Sequence, residues 1–249
     1  MKTKGIIYYT DCRVVEPIFS TVQDILLEMG LPISSTSLKP ITPKFTNNKV
    51  MEGLSRGYVT YIKQIHTALL NAKEDYIFFC ENDVLYHKSH FDFTPPLDNV
   101  FYYNSNVWRW RLWDDKAIRY KGMLPLSCLC VNREFAIKHY QLRLDKIKEW
   151  GYDEFRSREP RRSRIWGYEP GTKKKRRGGL TNDDHDTWCS DYPNVDIRHK
   201  RTFSRLKCTK DDFRHQPEEW EEINSAEISG WDLEKVFDNW GKTYNIQDL

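Results

Sequence analysis

One stretch constrains this chain of 249 residues more than any other: the apolar run Tyr76-Ile77-Phe78-Phe79-Cys80 ends directly in Glu81-Asn82-Asp83. An uninterrupted apolar run of this length predicts a central parallel strand that is covered on both faces. The two carboxylates then stand at the carboxyl end of that strand, where open α/β sheets bind ligands. Since hard divalent cations prefer oxygen ligands, Glu81 and Asp83 are predicted metal ligands.

The segments around this strand predict an α/β protein. Residues 5–10 and 33–38 are short apolar runs, and Glu16-Pro17 begins a helix between them that ends at Gly30. This strand, helix, strand order begins a Rossmann-like, mostly parallel central sheet flanked by helices, and the chain length suits one domain. Further helices are predicted over 57–72, 133–150 and 183–190, and further strands over 100–108, 124–131 and 195–199.

Charge is unevenly distributed along the chain. Ten basic and two acidic residues lie between Arg156 and Arg177, whereas eleven acidic and three basic residues follow from Asp211 to the end. The basic segment therefore predicts an anionic partner, or contact with the acidic tail, and a merely solvated loop is the alternative. The six cysteines have no zinc-site spacing and are expected to be free buried thiols.

No run approaches the ~18 apolar residues that span a bilayer, and the apolar run before Asp11 is too short for a signal peptide. We therefore expect a soluble cytoplasmic protein with no membrane partner.

The strand that ends in Glu81-Asn82-Asp83 resembles the metal-binding D-x-D segment of GT-A glycosyltransferases, with Glu81 in place of the first Asp. The resemblance is greatest to a small set of glycosyltransferase-like proteins and covers residues 5–215. The stretches that carry it are Ile7–Asp11 with Glu16–Ile18, Arg56–Tyr58, Gln64–Ile65, Phe78–Tyr86, Phe91–Pro96, Tyr102–Asn104, Gly167–Gly171 and Asp196–His199.

This resemblance implies a GT-A-like catalytic domain over residues 1–210 and an acidic C-terminal extension, 211–249, packed on it. Residues 1–90 would bind the nucleotide-sugar, and 91–210 would bind the acceptor and include the basic loop 156–179. The implied cofactors are Mn²⁺ or Mg²⁺ and a nucleotide-sugar donor, by preference a UDP-sugar. His199 would complete the metal site, and the implied donor contacts are Tyr8, Thr10, Asp11, Arg56, Gln64 and Asn82.

An inverting transfer needs a carboxylate that takes the proton of the acceptor hydroxyl. Asp186 is our prediction for this base, because Trp188 follows two residues later and would form an acceptor wall. Helix capping and solvation are the alternatives for the neighbouring Asp183 and Asp184. A retaining transfer needs no such base.

The basic loop has two further uses, as a lid over the donor diphosphate or as a contact to a nucleic-acid backbone. In the second case the acceptor is a hydroxymethylated pyrimidine in DNA, as in enzymes of bacterial viruses, and an aromatic side chain stacks on a flipped base. A cell-surface polysaccharide or another glycan is the alternative acceptor. A metal-dependent nuclease or phosphatase and a nucleic-acid-binding protein are the alternatives of other classes. The predicted acceptor and phosphate contacts are Trp108, Trp166, Lys173, Lys174, Lys175, Arg176 and Arg177.

Overall fold

The computed structural model describes residues 2–149, 169–171, 184–199, 207–233, 235–236 and 240. Within them, the α-helices are α1 (Ile18–Glu28), α2 (Tyr58–Asn71) and α3 (Arg133–Glu149). The strands are β1 (Lys4–Thr10), β2 (Ile33–Ser37), β3 (Asn48–Val50), β4 (Tyr76–Cys80), β5 (Val84–Leu85), β6 (Val100–Asn104), β7 (Val107–Arg111), β8 (Lys116–Arg119), β9 (Leu129–Asn132), β10 (Asp184–Trp188), β11 (Asn194–Arg198) and β12 (Glu221–Asn224).

The larger sheet has seven strands in the order β10-β6-β9-β4-β1-β2-β3. The pairs β1·β2, β1·β4, β2·β3 and β10·β6 are parallel, whereas β9 is antiparallel to both β4 and β6. The sheet is therefore mixed, with β9 as its reversed strand. The predicted α/β class is confirmed, and β4, the strand before Glu81, is central in the sheet as expected.

Both faces of this sheet are buried. Alternate side chains of β1 point in opposite directions, so Ile6 and Tyr8 pack in one apolar cluster with α1, while Ile7 and Tyr9 pack in another with α2 and α3. Every residue of β4 is buried, which explains its continuous apolar sequence. Truncating one such side chain, for example Phe78→Ala, removes roughly 3–5 kcal/mol of stability.

A second sheet, in the order β12-β8-β7-β11-β5, was not predicted from the sequence. Three chain segments pass directly from the first sheet into the second: β4 into β5, β6 into β7, and β10 into β11. The predicted single strand over 100–108 is wrong for this reason. The Asn104 side chain accepts hydrogen bonds from the backbone N–H groups of Asn106 (3.0 Å) and Ser190 (3.2 Å) and so fixes two of these crossings together.

The predicted helix over 183–190 is also wrong, because its described residues form β10, an edge strand paired with β6. The acidic C-terminal segment contributes β12 to the second sheet. Its tryptophans contact the body: the Trp231 indole donates to the Pro193 carbonyl (2.7 Å), and Trp240 stacks on Trp110.

All six cysteines are free thiols. Cys80, Cys128, Cys130 and Cys208 are buried as expected, whereas Cys189 is exposed and Cys12 is partly buried, so the prediction was wrong for Cys189. Among the described residues, no helix is both long enough and apolar enough to cross a membrane.

Candidate active site

A cavity of about 370 Å³ opens where the larger sheet meets the second one. Its lining includes the residues that follow β1, the Glu81-Asn82-Asp83 turn after β4, and the end of β11. The turn leaves β4 in one sheet and enters β5 in the other, so its side chains face the space between the sheets. Sequence position after a buried strand thus places these carboxylates at a cavity, as predicted.

Asp83 lines this cavity, and the imidazole of His199 faces its carboxylate from behind. The Asp83 carbonyl accepts a hydrogen bond from the backbone of Ile197 (2.8 Å), which fixes the turn against β11. The fully buried His199 imidazole then brings its Nε2 to 3.4 Å from Asp83 Oδ2. Two ligands that each lie ~2.1 Å from one ion are ~3 Å apart at a right angle, so this separation suits two ligands of one cation.

Glu81 lies on the inner side of the same turn. Tyr9 donates a hydrogen bond to Glu81 Oε1 (2.9 Å), and the Glu81 backbone N–H donates to the Tyr86 hydroxyl (2.8 Å). Burial raises the pKa of Glu81 to about 8, and the neighbouring Asp83 carboxylate adds to the rise. The two neighbouring carboxylates repel each other, and this favours protonation of Glu81. A bound cation would instead stabilise both carboxylates in their ionised form.

Two guanidinium groups stand beside a third buried carboxylate on this wall. Arg198 forms an ion pair with Asp196, and Arg109 Nε lies 3.6 Å from Asp196 Oδ2. Burial raises the pKa of Asp196, although Arg198 and Arg109 counteract the rise. Asp196, Arg198 and Arg109 all line the cavity, and they alternate along β11 and β7 with the buried Ile197 and Trp108.

Thr10, Asn82, Asp11 and Arg56 form the next part of the lining. Asn82 donates a hydrogen bond to the Thr10 hydroxyl (2.7 Å), which ties the end of β1 to the turn after β4. Arg56 Nε lies 2.5 Å from Asp11 Oδ2, and both side chains remain partly exposed. Gln64, on α2, donates to the Thr10 carbonyl (2.8 Å) and holds the end of β1 in place.

The structure therefore gathers eight predicted site residues around one cavity. Seven of them line it and His199 lies behind Asp83: Thr10, Asp11, Arg56, Gln64, Glu81, Asn82, Asp83 and His199. Their roles as donor and metal contacts stay predictions.

Three other predicted site residues do not line the cavity. Tyr8 is fully buried and contacts Gln23 on the opposite face of the sheet, so Tyr9 takes its place. Trp108 is buried under the guanidinium of Arg119, and the adjacent Arg109 faces the cavity instead. In both cases the prediction is wrong by one residue, because successive side chains along a strand point to opposite faces of the sheet.

Asp186 lies on the exposed edge strand β10, where its carboxylate accepts a hydrogen bond from the backbone N–H of Thr187 (2.7 Å). The predicted contacts Trp166, Lys173, Lys174, Lys175, Arg176 and Arg177 lie outside the described residues, as does most of the basic loop 156–179.

The sequence reasoning missed part of the lining. Arg143 on α3 and Glu169 form a buried ion pair at the cavity, and Tyr58 and Tyr61 of α2 lie nearby in its lining. A signal was present for Arg143, because it follows the buried Tyr140 by three residues and precedes the buried Ile147 by four, the spacing of one helix face. A charged residue on an otherwise buried helix face indicates a buried partner or a site.

Comparison with known proteins adds little. The chain matches no family model, and no curated protein matches it. Among solved structures, it is similar to a mutant of Drosophila β-1,4-galactosyltransferase 7 in complex with manganese, UDP-Gal and xylobiose. The identity is 11% and the TM-score 0.35, over 72% of this chain and 84% of that one. An identity and a TM-score this low leave the function to be argued from the site.

Proposed function

We propose that this chain is a metal-dependent glycosyltransferase, which moves a sugar from a UDP-sugar to the hydroxyl group of an acceptor. The observation that carries the proposal is the approach of Asp83 to His199, at 3.4 Å, beside a cavity of about 370 Å³. This pair stands at the carboxyl ends of strands, where α/β sheets bind nucleotides. The cavity also combines carboxylates, guanidinium groups and tyrosines, which suits a charged diphosphate that carries a sugar.

The donor atoms fit a hard divalent cation. Asp83 and His199, which already approach each other, would hold Mn²⁺ or Mg²⁺, and Glu81 stays our proposed third ligand. The raised pKa of Glu81 reflects burial and a repulsion from Asp83 that such a cation would relieve. Among the residues that the structure describes, no three His, Cys, Asp or Glu side chains converge as a complete metal site. Waters and phosphate oxygens would supply the other ligands, as is usual for Mg²⁺. When bound, the ion holds the diphosphate and stabilises the negative charge that it gains on leaving.

The proposed transfer forms a bond between the acceptor oxygen and C1 of the sugar. The bond between C1 and the diphosphate oxygen breaks, and UDP leaves with the electron pair. Arg109 and Arg198, which line the cavity and both lie beside Asp196, would bind the diphosphate oxygens. Thr10 and Asp11 would hold the nucleoside, since they line the cavity next to the turn after β4.

In an inverting transfer a carboxylate of the enzyme takes the proton of the acceptor hydroxyl, whereas in a retaining transfer the departing diphosphate oxygen takes it. Asp186 stays our prediction for that base, although it does not line the cavity in this conformation. Asp186→Asn then lowers kcat and leaves the Kd for UDP unchanged. An unchanged kcat would remove Asp186 from the mechanism.

We further propose that the acceptor is a hydroxymethylated pyrimidine in DNA. The support is the sequence alone: ten basic residues between Arg156 and Arg177 suit a phosphate backbone. Neutralising Lys173 to Arg177 should weaken DNA binding and reduce its dependence on salt. Unchanged DNA binding would favour the lid and a glycan acceptor.

A UDP-release assay tests the proposed activity. We expect UDP to accumulate from UDP-glucose or UDP-galactose with Mn²⁺ when the correct acceptor is present, and 5-hydroxymethylcytosine DNA and polysaccharides are the acceptors to compare. EDTA should abolish the release, and Asp83→Asn should reduce it at least ~100-fold, because a metal ligand is lost. Mn²⁺-dependent cleavage of DNA or of a phosphomonoester without UDP release would favour the nuclease or phosphatase alternative.

A further inference from the structure

Arg143 and Glu169 form a buried ion pair in the wall of the cavity. Their side chains are only 5% and 7% exposed, and both residues line the cavity. The Glu169 carboxylate accepts a hydrogen bond from the Tyr140 hydroxyl (2.7 Å) as well as from Arg143. Burial raises the pKa of Glu169, but Arg143, His139 and Tyr140 outweigh burial and lower it, so the carboxylate is ionised at neutral pH.

Stability alone does not explain this pair. Removing two charges from water costs several kcal/mol each, and apolar side chains of similar volume often serve a protein core equally well or better. Arg143 Nε is buried and makes no hydrogen bond within the described part of the chain. A donor that has no acceptor among the described residues, on a side chain that lines a cavity, is available to a ligand.

The pair also lies close to the predicted metal site. Tyr61 lines the same cavity as the pair, its ring contacts Tyr9 (5.7 Å between ring centres), and Tyr9 donates a hydrogen bond to Glu81. Burial raises the pKa of Tyr61, and the carboxylates of Glu169 and Glu81 both add to the rise. A group attached to a metal-bound diphosphate would therefore extend along Tyr61 toward Arg143 and Glu169.

We infer that Arg143 and Glu169 bind adjacent hydroxyl groups of the transferred sugar, and that they select a neutral sugar with two free neighbouring hydroxyls. The inference rests on the proposed function. A guanidinium only donates hydrogen bonds and an ionised carboxylate only accepts them, whereas a hydroxyl does both. Two neighbouring hydroxyls can thus bind the pair together, one accepting from Arg143 and one donating to Glu169, and a sugar that lacks one of them loses a hydrogen bond to a charged group.

The test uses calorimetric titration of the full chain with UDP and with UDP-glucose, in Mn²⁺ and without acceptor. The main variant is Arg143→Met with Glu169→Leu, which removes both charges and so leaves neither one buried alone. The matched control is Lys146→Met with Glu149→Gln, an exposed ion pair (2.7 Å) on the same helix. Arg143→Lys keeps the charge but loses the planar fork, and it serves if the double variant does not fold.

We expect the Kd for UDP to be the same in the wild type, the double variant and the control. The Kd for UDP-glucose should rise at least about 10-fold in the double variant only, because hydrogen bonds to charged groups are lost. Arg143→Lys should raise it several-fold, again with no change for UDP. Thermal unfolding should show the double variant to be as stable as the wild type.

Other outcomes would overturn the inference. If UDP-glucose binds the double variant as tightly as the wild type, the pair does not bind the donor sugar, and the same holds if UDP and UDP-glucose weaken equally. If the wild type binds neither UDP nor UDP-glucose, the proposed function itself fails. The UDP titration of the wild type therefore separates the two failures.

Discussion

The pH dependence of stability gives the sharpest check on the electrostatics of the site. Without metal, burial and the Asp83 carboxylate raise the pKa of Glu81 to about 8, whereas an unfolded glutamate titrates near 4.3. A carboxyl whose pKa is raised on folding stabilises the protein fully below its unfolded pKa, and this contribution is lost as the pH rises toward 8. Metal-free protein should therefore lose stability between pH 5 and pH 8.

The size of this stability loss follows from the one proton that Glu81 binds in the folded state and not in the unfolded state. A full proton contributes about 1.4 kcal/mol per pH unit, and since part of the Glu81 side chain still reaches the cavity, we expect roughly 2 kcal/mol over this range. Glu81→Gln removes the titration and keeps an oxygen that accepts from Tyr9. The variant should be about as stable as the wild type at pH 5 and more stable by roughly 2 kcal/mol at pH 8.

Urea unfolding in EDTA at pH 5, 6.5 and 8 measures this difference. The comparison of variant with wild type cancels the titration of other groups, provided that the m-values agree. Added Mn²⁺ should reverse the order at pH 8, because the wild type gains more from the ion than the variant does. A stability difference that is independent of pH would refute the reasoning, since Glu81 would then be ionised in both states.

Three further predictions test other parts of the structure. Asp83→Asn should abolish Mn²⁺-dependent binding of UDP in calorimetric titration while the melting temperature of the metal-free protein stays the same or rises, and retained binding would contradict the metal assignment. Gly171→Ala should lower the free energy of unfolding by roughly 1–3 kcal/mol more than Gly53→Ala does. Both glycines have positive φ, but only a Cβ at 171 would lie 2.4 Å from the His185 side chain. Equal losses in urea unfolding would contradict this placement. Trp240→Ala should destabilise by roughly 3 kcal/mol, because the buried ring stacks on Trp110, and a loss below about 0.5 kcal/mol would show that this contact is not formed.

Local signals in the sequence sufficed for five elements in the first half of the chain, although β3 and β5 were missed. The bounds of β1, α1, β2, α2 and β4 agree with prediction to within about two residues, because apolar runs and Pro or Gly residues mark their ends. The position of Glu81 and Asp83 at a cavity followed from the same signals. These are properties of short segments, and each can be read without knowledge of the rest of the chain.

The second sheet depended on contacts between distant segments and was missed. Its strands β5, β8 and β12 have only two to four residues, too few to show a periodic pattern. The choice of Tyr8 over Tyr9 and of Trp108 over Arg109 failed for a related reason. Which face of a strand is covered depends on what packs there, and a shift of one residue exchanges the two faces.

Arg143 and Glu169 illustrate a third limit. They are 26 residues apart, and each resembles a surface residue when considered alone. Only the fold brings them together with Tyr140 in the wall of the cavity. A charged side chain on the buried face of α3 was the one available hint, and no local pattern identified Glu169 as its partner.

Metal-dependent stabilisation by a UDP-sugar tests the central claim most directly. Thermal unfolding is measured with UDP-glucose and UDP-galactose, each with Mn²⁺ and with EDTA, against GDP-, CMP- and dTDP-sugars as controls. A ligand that binds only the folded state raises the melting temperature, so we predict an increase with a UDP-sugar and Mn²⁺ together that is absent in EDTA. No increase with any nucleotide-sugar, at concentrations up to several millimolar, would contradict the assignment of this cavity as a nucleotide-sugar site.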